Sequence, residues 1–348
     1  MRALPFCVVA SLALSAQEAA FFHEETPSLW KPAWELTLRG DRTGGLGDED
    51  FQRVGARLRL RWRWDLGPLE TTLATRHAVG SDGNARNFDR YDNLPSNESR
   101  LDLAQIAWRP TAPKTFLEVR IGLQETGLLS QESYWDRDLR VLGGGVRAAY
   151  RDGKHVQELG LRGVAGRVRT VQGGRIDVAA LQAVLKLDTG AFSWTAHAGR
   201  WHLKWDPSEY RLRALPGANP TVRQHSKLDV AGVGVLWNSL LPLEFKAVRH
   251  RNPDTREDGA ETQFWVGSRN RAWWPQVGYI WQRFEKTGTH FPVNGDDWWY
   301  YWNARGPRYE LALPLPGNWL VSAVYLRHFR YGADEAVTRR LLILTKRF

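Results

Sequence analysis

The sequence has almost no cysteine: its single one, Cys7, lies within the first apolar stretch. A chain without that stretch has no thiol, which excludes disulfides and thiolate-bound metals and suits an exported protein. Beyond it no run of 18 apolar residues occurs, and this excludes a membrane-spanning helix, which needs about 20. There is no glycine-rich phosphate loop and no close spacing of His, Asp and Glu, so we expect neither a cofactor nor a metal site.

The N-terminus has the pattern of a secretory signal. Arg2 supplies the positive charge, and the segment from Leu4 to Ala16 is almost wholly apolar. That segment has the length of a signal core and is too short to span a bilayer. We therefore predict a signal peptide over residues 1–16 with an approximate end, a periplasmic lead over 17–32, and one domain over 33–348.

Residues 54–64, V-G-A-R-L-R-L-R-W-R-W, alternate strictly between two kinds of side chain. Strand side chains alternate between two faces, so one face is apolar and the other carries four arginines. A soluble sandwich could bury Leu58 and Leu60 on such a face. The two tryptophans at its end and the recurrence of the pattern along the chain favour a membrane barrel, with the apolar face in lipid and the polar face in a wet lumen.

The same alternation predicts an all-β fold, a transmembrane antiparallel β-barrel of about 16 strands with short periplasmic turns and longer external loops. Counts from 14 to 18 stay open, because the aromatic segment 296–305 could form a further strand; we interpret it as a loop. The predicted strands are 33–40, 52–65, 68–79, 100–109, 115–124, 143–151, 155–167, 175–187, 191–201, 227–237, 242–250, 261–268, 272–284, 306–314, 319–330 and 337–348.

Tryptophan is abundant, with 18 residues, and many aromatic residues lie near predicted strand ends. Interfacial girdles of membrane barrels use such amphipathic rings. The residues expected in these girdles are Trp34, Trp64, Trp108, Trp237, Trp273, Trp274, Trp298, Trp299, Tyr300 and Tyr301.

The chain carries a net charge of +10, and most of its basic residues are arginine. Such a balance is typical of nucleic-acid binding, but the basic residues are spread over inward positions and loops, so we expect no nucleic-acid partner. A lumen lined by arginine favours anions instead. Cross-strand pairs with Glu35 and Glu70 could neutralise part of this charge. The arginines predicted to line the pore are Arg57, Arg59, Arg61, Arg63, Arg76, Arg120, Arg147 and Arg162.

The third long connection, Glu125 to Leu142, combines acids with too many apolar residues for a solvated loop. We expect it to fold into the barrel and to set a transverse field between Asp136 and Asp138 on one side and Arg57, Arg59 and Arg61 on the other. A loop that only covers the rim is the alternative. The residues predicted to form this constriction are Glu125, Glu132, Trp135, Asp136, Asp138 and Arg140.

Three segments resemble known bacterial proteins. The last strand, ending in Phe348, resembles the terminal signature of outer-membrane barrels. Residues 134–146, Y-W-D-R-D-L-R-V-L-G-G-G-V, are similar to a loop of outer-membrane porin and alginate-export barrel families, and we expect Gly143 to Gly145 to free the backbone to turn into the strand. The third long connection, Glu125 to Leu142, resembles the third loop of general porins in its position along the chain and in its charge.

The resemblance implies a location in the outer membrane of a Gram-negative bacterium, in contact with lipid and lipopolysaccharide. It implies recognition of Phe348 by the barrel-assembly machinery, and a homotrimer, although no residue pattern marks a subunit face. The implied function is a porin-like channel for passive diffusion of small hydrophilic solutes, weakly preferring anions.

Two other functions stay open. One is a dedicated channel for an anionic polysaccharide or oligosaccharide, because arginine binds carboxylates and tryptophan stacks on sugar rings. The other is an enzyme at the barrel rim, for which His197, His202 and Ser208 are the nearest candidates. That trio is unspecific, and we do not expect an enzyme.

Overall fold

The computed structural model describes residues 31–45, 50–82, 98–110, 112–169, 176–205, 224–290, 293, 303–330 and 336–348. The predicted signal peptide, most of the periplasmic lead and the aromatic residues 298–301 lie outside these ranges. Within them, no helix is long and apolar enough to cross a membrane.

The described residues form sixteen strands, as the alternation predicts. The differences from prediction are largest in three strands: β1 and β9 extend beyond their predicted ends at 40 and 201 because the residues there continue to pair with neighbouring strands, and β13 begins at Gln276 and not at 272. The strands are β1 (Lys31–Gly44), β2 (Phe51–Leu66), β3 (Leu69–Asp82), β4 (Glu98–Trp108), β5 (Thr115–Gln124), β6 (Arg140–Tyr150), β7 (Val156–Arg169), β8 (Ile176–Asp188), β9 (Phe192–Trp205), β10 (Gln224–Trp237), β11 (Leu243–Arg251), β12 (Asp258–Gly267), β13 (Gln276–Phe284), β14 (Ala304–Leu315), β15 (Trp319–Arg330) and β16 (Ala336–Arg347).

Each strand pairs antiparallel with its sequence neighbours, and β1 pairs with β16 to close the barrel. Closure satisfies every sheet edge, which a spanning sheet needs in lipid. At the seam the backbone N–H of Phe348 donates to the carbonyl of Trp34 at 3.0 Å. The two rings stack with centroids 3.3 Å apart, so the last residue of the chain fixes the first strand.

The two faces of the wall differ as the alternation requires. Outward residues such as Val54, Ile121 and Leu142 are apolar and exposed in the isolated chain. Inward residues such as Glu35 and Arg59 are polar and buried by the interior. The outward face therefore suits lipid, and the inward face carries the charge.

Gly143 and Gly145 lie inside β6 and do not form a turn, so the expectation for this glycine run is wrong. The strand begins at Arg140, which pairs with Arg169 of β7. A Cβ on Gly143 would lie 2.1 Å from the carbonyl oxygen of Ala165. Glycine is required here for close approach of β6 to β7 and not for freedom of the loop.

Candidate functional site

The connection between β5 and β6, Glu125 to Leu139, folds into the barrel, and we call it the third loop. The backbone N–H of Leu129 donates to Gln182 of β8 at 2.8 Å, and the Gln182 amide donates back to the Leu129 carbonyl at 2.9 Å. The N–H of Ser133 donates to Glu261 of β12 at 3.0 Å. Strand β12 lies on a distant part of the ring, so these contacts are made across the interior.

One side of the third loop is held by an apolar core inside the barrel. Trp135 packs on Trp201 of β9 with ring centroids 5.1 Å apart, and Tyr134 meets the same ring edge-on at 5.6 Å. Leu139 joins them, and all of these side chains are buried. The apolar residues of the loop are too many for a surface segment. They pack on the inner face of β7–β11 and exclude water from it.

The other side of the loop is held by charge. Asp138 accepts hydrogen bonds from Arg57 at 3.0 Å and Arg59 at 2.5 Å, and lies 3.4 Å from Arg76. Burial alone would raise the pKa of the Asp138 carboxyl, but the three guanidinium groups hold that pKa well below its ordinary range. Asp138 therefore stays ionised and ties the loop to β2 and β3.

The expected field between separated charges is replaced by these direct ion pairs. Asp136 turns back into the loop and accepts a hydrogen bond from the N–H of Asp138 at 2.7 Å. Arg61 does not join Asp138; the opposing charges nearest to it are Glu125 and Glu70.

The remaining predicted loop residues link the loop to further strands. Glu132 pairs with Arg308 of β14 at 2.9 Å and with Arg137 at 2.6 Å. Arg140 pairs with Asp102 of β4 at 3.1 Å and lies 3.7 Å from Glu125. Glu132 and Arg140 thus tie the loop to β14 and β4, whereas Trp135 lies in the apolar core.

The other predicted arginines lie lower on the wall or beside the loop. Arg63 pairs with Glu70 at 2.9 Å, and Arg120 with Glu118 at 3.1 Å. Arg147 and Arg162 share one carboxylate, Glu158, at 2.6 and 2.7 Å. All eight arginines thus have acidic neighbours. The pairs of Arg63 and Arg147 join neighbouring strands, as the cross-strand argument expects, whereas Arg120 and Arg162 pair within their own strands.

In these pairs the acid is the more deeply buried partner. The Arg63 side chain is 34% exposed and that of Glu70 only 5%; for Arg147 and Glu158 the values are 26% and 1%. Two pairs that the sequence analysis did not name repeat the arrangement, Arg109 with Glu118 and Arg347 with Glu35. In these pairs the group that water reaches is therefore mainly guanidinium, whereas at the third loop the Asp138 side chain is 28% exposed and those of Arg59 and Arg76 only 4% and 9%.

The histidines proposed for a rim enzyme do not come together. His197 lies above Gly232 on the inward face of β9, whereas His202 faces outward beside His225. Their spacing of five residues already places them on opposite faces of a strand. Ser208 is outside the described residues. Within the described residues, no group of three or more His, Cys, Asp or Glu side chains could hold a metal ion.

No protein-family model and no curated relative matches the chain. Solved structures do match. OprB of Pseudomonas putida at high pH is 12% identical, with a TM-score of 0.61, covering 92% of this chain and 94% of that chain. OmpF of Salmonella typhi, solved with daunomycin, is 10% identical, with a TM-score of 0.54, covering 92% and 97%. The likeness shows that this chain has the outer-membrane porin fold, as predicted.

Proposed function

We propose that the protein is a passive channel of the bacterial outer membrane for small hydrophilic solutes, with a preference for anions. The porin fold supports the channel. The observation that carries the preference is the exposure of the charges in the ion pairs of the wall: in pairs such as Arg63 with Glu70 and Arg147 with Glu158, the arginine is more exposed than its acid. A permeating anion meets guanidinium groups first, which lowers its electrostatic barrier.

The third loop supports the size limit of this channel. Its apolar side occupies the lumen along β7–β11, and its charged side is tied to β2 and β3 through Asp138. We propose that solutes pass beside the loop along the arginine-bearing wall, and that Glu125, Glu132, Trp135, Asp136, Asp138 and Arg140 form the constriction. Selection is then by size and charge, without a catalytic step or energy coupling.

A channel for long anionic sugars is less well supported than a channel for small anions. Sugar rings bind to exposed aromatic faces. The described tryptophans on the inner wall, Trp201, Trp205 and Trp265, are buried, and so is Trp135 of the loop. Others, such as Trp194 and Trp237, are exposed on the outward face. The arginines alone therefore remain to bind a carboxylate.

The test is single-channel recording in a planar bilayer under a gradient of potassium chloride. We expect stepwise conductance and a reversal potential with the sign of an anion-selective channel. Replacing Arg63 and Arg147 by glutamine should lower the anion preference. Arg249→Gln is the matched control, because Arg249 is exposed on the outward face of β11.

The outcomes separate the two parts of the proposal. Absence of conductance would contradict the channel. Conductance without anion preference, or a preference that the Arg63 and Arg147 variant leaves unchanged, would contradict the role of the arginines and leave the channel standing. We also propose that Phe348 is recognised during barrel assembly. We further propose that the chain forms a homotrimer, and the mass of the purified protein in detergent tests the homotrimer.

A further inference from the structure

We propose that the third loop and the wall formed by β12–β14 hold a binding site for one oxyanion group of a solute, a carboxylate or a phosphate. Arg137 of the loop and Arg269 of the β12–β13 connection donate the hydrogen bonds. Neither residue belongs to the arginines that the sequence predicts to line the pore. The site rests on the proposed function, because a solute reaches it only through an open lumen.

Five charged side chains form an alternating chain on this wall, in the order Arg137, Glu132, Arg308, Glu310 and Arg269. One oxygen of Glu132 lies 2.6 Å from Arg137, and the other lies 2.9 Å from Arg308. One oxygen of Glu310 lies 2.6 Å from Arg308, and the other lies 2.9 Å from Arg269. Each acid is thus shared by two arginines, and the chain of charges has an arginine at both ends.

The two ends are the members of the chain that water reaches. The Arg137 side chain is 60% exposed although it lies inside the barrel, and that of Arg269 is 36% exposed, whereas the three side chains between them are 7–15% exposed. Among the described residues, Arg137 bonds through Nη2 alone and Arg269 through Nε and Nη2. The Nη1 group of each arginine therefore stays available to a solute.

Arg269 is held in one orientation by uncharged neighbours. Its Nε donates to Gln276 of β13 at 2.6 Å, and its guanidinium lies over the Trp265 ring at 5.0 Å. That ring lies directly on Gly278, where a Cβ would clash with it. The stacked cation is fixed while its outer edge stays unbonded. A group fixed in this way loses little freedom when it binds an anion.

The two ends of the chain face each other. The charge of Arg137 acts on Arg269 more strongly than that of Arg308 does, although Arg308 shares an acid with Arg269. Because the interaction of charges falls with distance, the chain bends and brings its ends together. Three positive charges meet two negative ones in this cluster. One external negative charge between the ends therefore closes the chain and balances it.

The arrangement suits an oxyanion better than a halide. Guanidinium groups bind carboxylates and phosphates by paired hydrogen bonds to separate oxygens, and the two available edges belong to two different arginines. A chloride ion has no separate oxygens to place on both. The site also lies across the ring from the wall of Arg63 and Arg147, since β12–β14 are half a barrel away from β4–β6. It is therefore distinct from the arginines that lower the barrier for anions in general.

The experiment measures binding of isotope-labelled acetate to the full-length protein in detergent by saturation-transfer NMR. Inorganic phosphate is the second probe, and the anion bound more tightly identifies the group that the site takes. We expect saturable binding that an equal concentration of chloride does not displace. Arg137→Gln and Arg269→Gln should each weaken binding by about tenfold, because a charge-assisted hydrogen bond is lost. In either variant the released acid keeps its bond to Arg308, so the wall stays intact.

Two further variants make the result independent of folding. Arg200→Gln is the matched control, because Arg200 is 62% exposed and paired with one acid but lies on the outward face of β9; it should change binding less than twofold. Glu132→Gln should tighten binding by at least about twofold, because it removes a negative charge that competes with the anion. Loss of the fold could not produce such an increase.

The outcomes separate this site from the channel itself. Absence of saturable binding of both anions, or binding that both arginine variants leave unchanged, would overturn the proposal. Displacement by chloride at equal concentration would overturn it too, since plain charge attraction would then suffice. A protein that conducts anions without binding acetate or phosphate contradicts this site alone. A protein that binds them without conducting contradicts the proposed channel alone.

Discussion

Asp138→Asn is the substitution that most directly tests how charge is arranged in the lumen. Asp138 has three guanidinium groups, those of Arg57, Arg59 and Arg76, within 3.4 Å. The amide removes one negative charge and leaves these groups facing one another. The loop keeps its other attachments, the paired bonds to Gln182 and the buried Trp135, so we expect it to remain in place.

The size of the effect follows from one added positive charge. At about 10 Å in a water-like medium, a unit charge acts on an ion with about 0.4 kcal/mol. This interaction energy is favourable for an anion and unfavourable for a cation, so the difference between their barriers changes by about 0.8 kcal/mol. That is about fourfold, since about 1.4 kcal/mol corresponds to tenfold.

The assay is the reversal potential in potassium chloride at low ionic strength, where screening is weakest. Asp138→Asn should shift it towards the anion limit. Asp229→Asn is the control: it also releases an arginine, Arg200, but on the outward face. A shift towards cations, or an equal shift in the control, would refute the reasoning that Asp138 acts within the permeation path.

Three further predictions concern the loop and its wall. Gly143→Ala should lower the free energy of unfolding by about 1–3 kcal/mol through overpacking. Gly144→Ala is the control and should not lower it, because a Cβ there meets only a carbonyl oxygen at 3.8 Å. Urea unfolding measures the free energy for both variants. Trp201→Ala removes the ring on which the loop packs, at a cost of about 3–5 kcal/mol, and should raise the conductance and its noise, whereas Trp194→Ala on the outward face of the same strand should not. Burial holds the pKa of His290 well below its ordinary value. The unfolded chain therefore gains a proton that the folded one does not, and stability should fall as the pH drops below about 6.5. Thermal unfolding should show this pH dependence reduced in His290→Gln, and an unchanged dependence would contradict the prediction.

The strand order and the infolded loop could be predicted because both depend on local patterns. Residues 54–64 show the period of a strand, and Leu128, Tyr134 and Leu139 are too apolar for a loop in water. The partners inside the lumen could not be predicted in the same way. Asp138 meets Arg76 of β3 as well as Arg57 and Arg59 of β2, and these contacts join residues more than 60 positions apart in the chain. Arg347 meets Glu35 only because the barrel closes.

The depth of the charges follows from the lengths of the side chains. Asp and Glu are short, so their carboxylates stay close to the sheet, while arginine reaches past them and keeps its head in water. Arg63 above Glu70 and Arg147 above Glu158 show this arrangement. A wall with nearly balanced charge can thus present a positive surface to the lumen. At such wall pairs the sign that a solute meets is therefore decided by which partner is longer, and it cannot be read from the net charge of the chain.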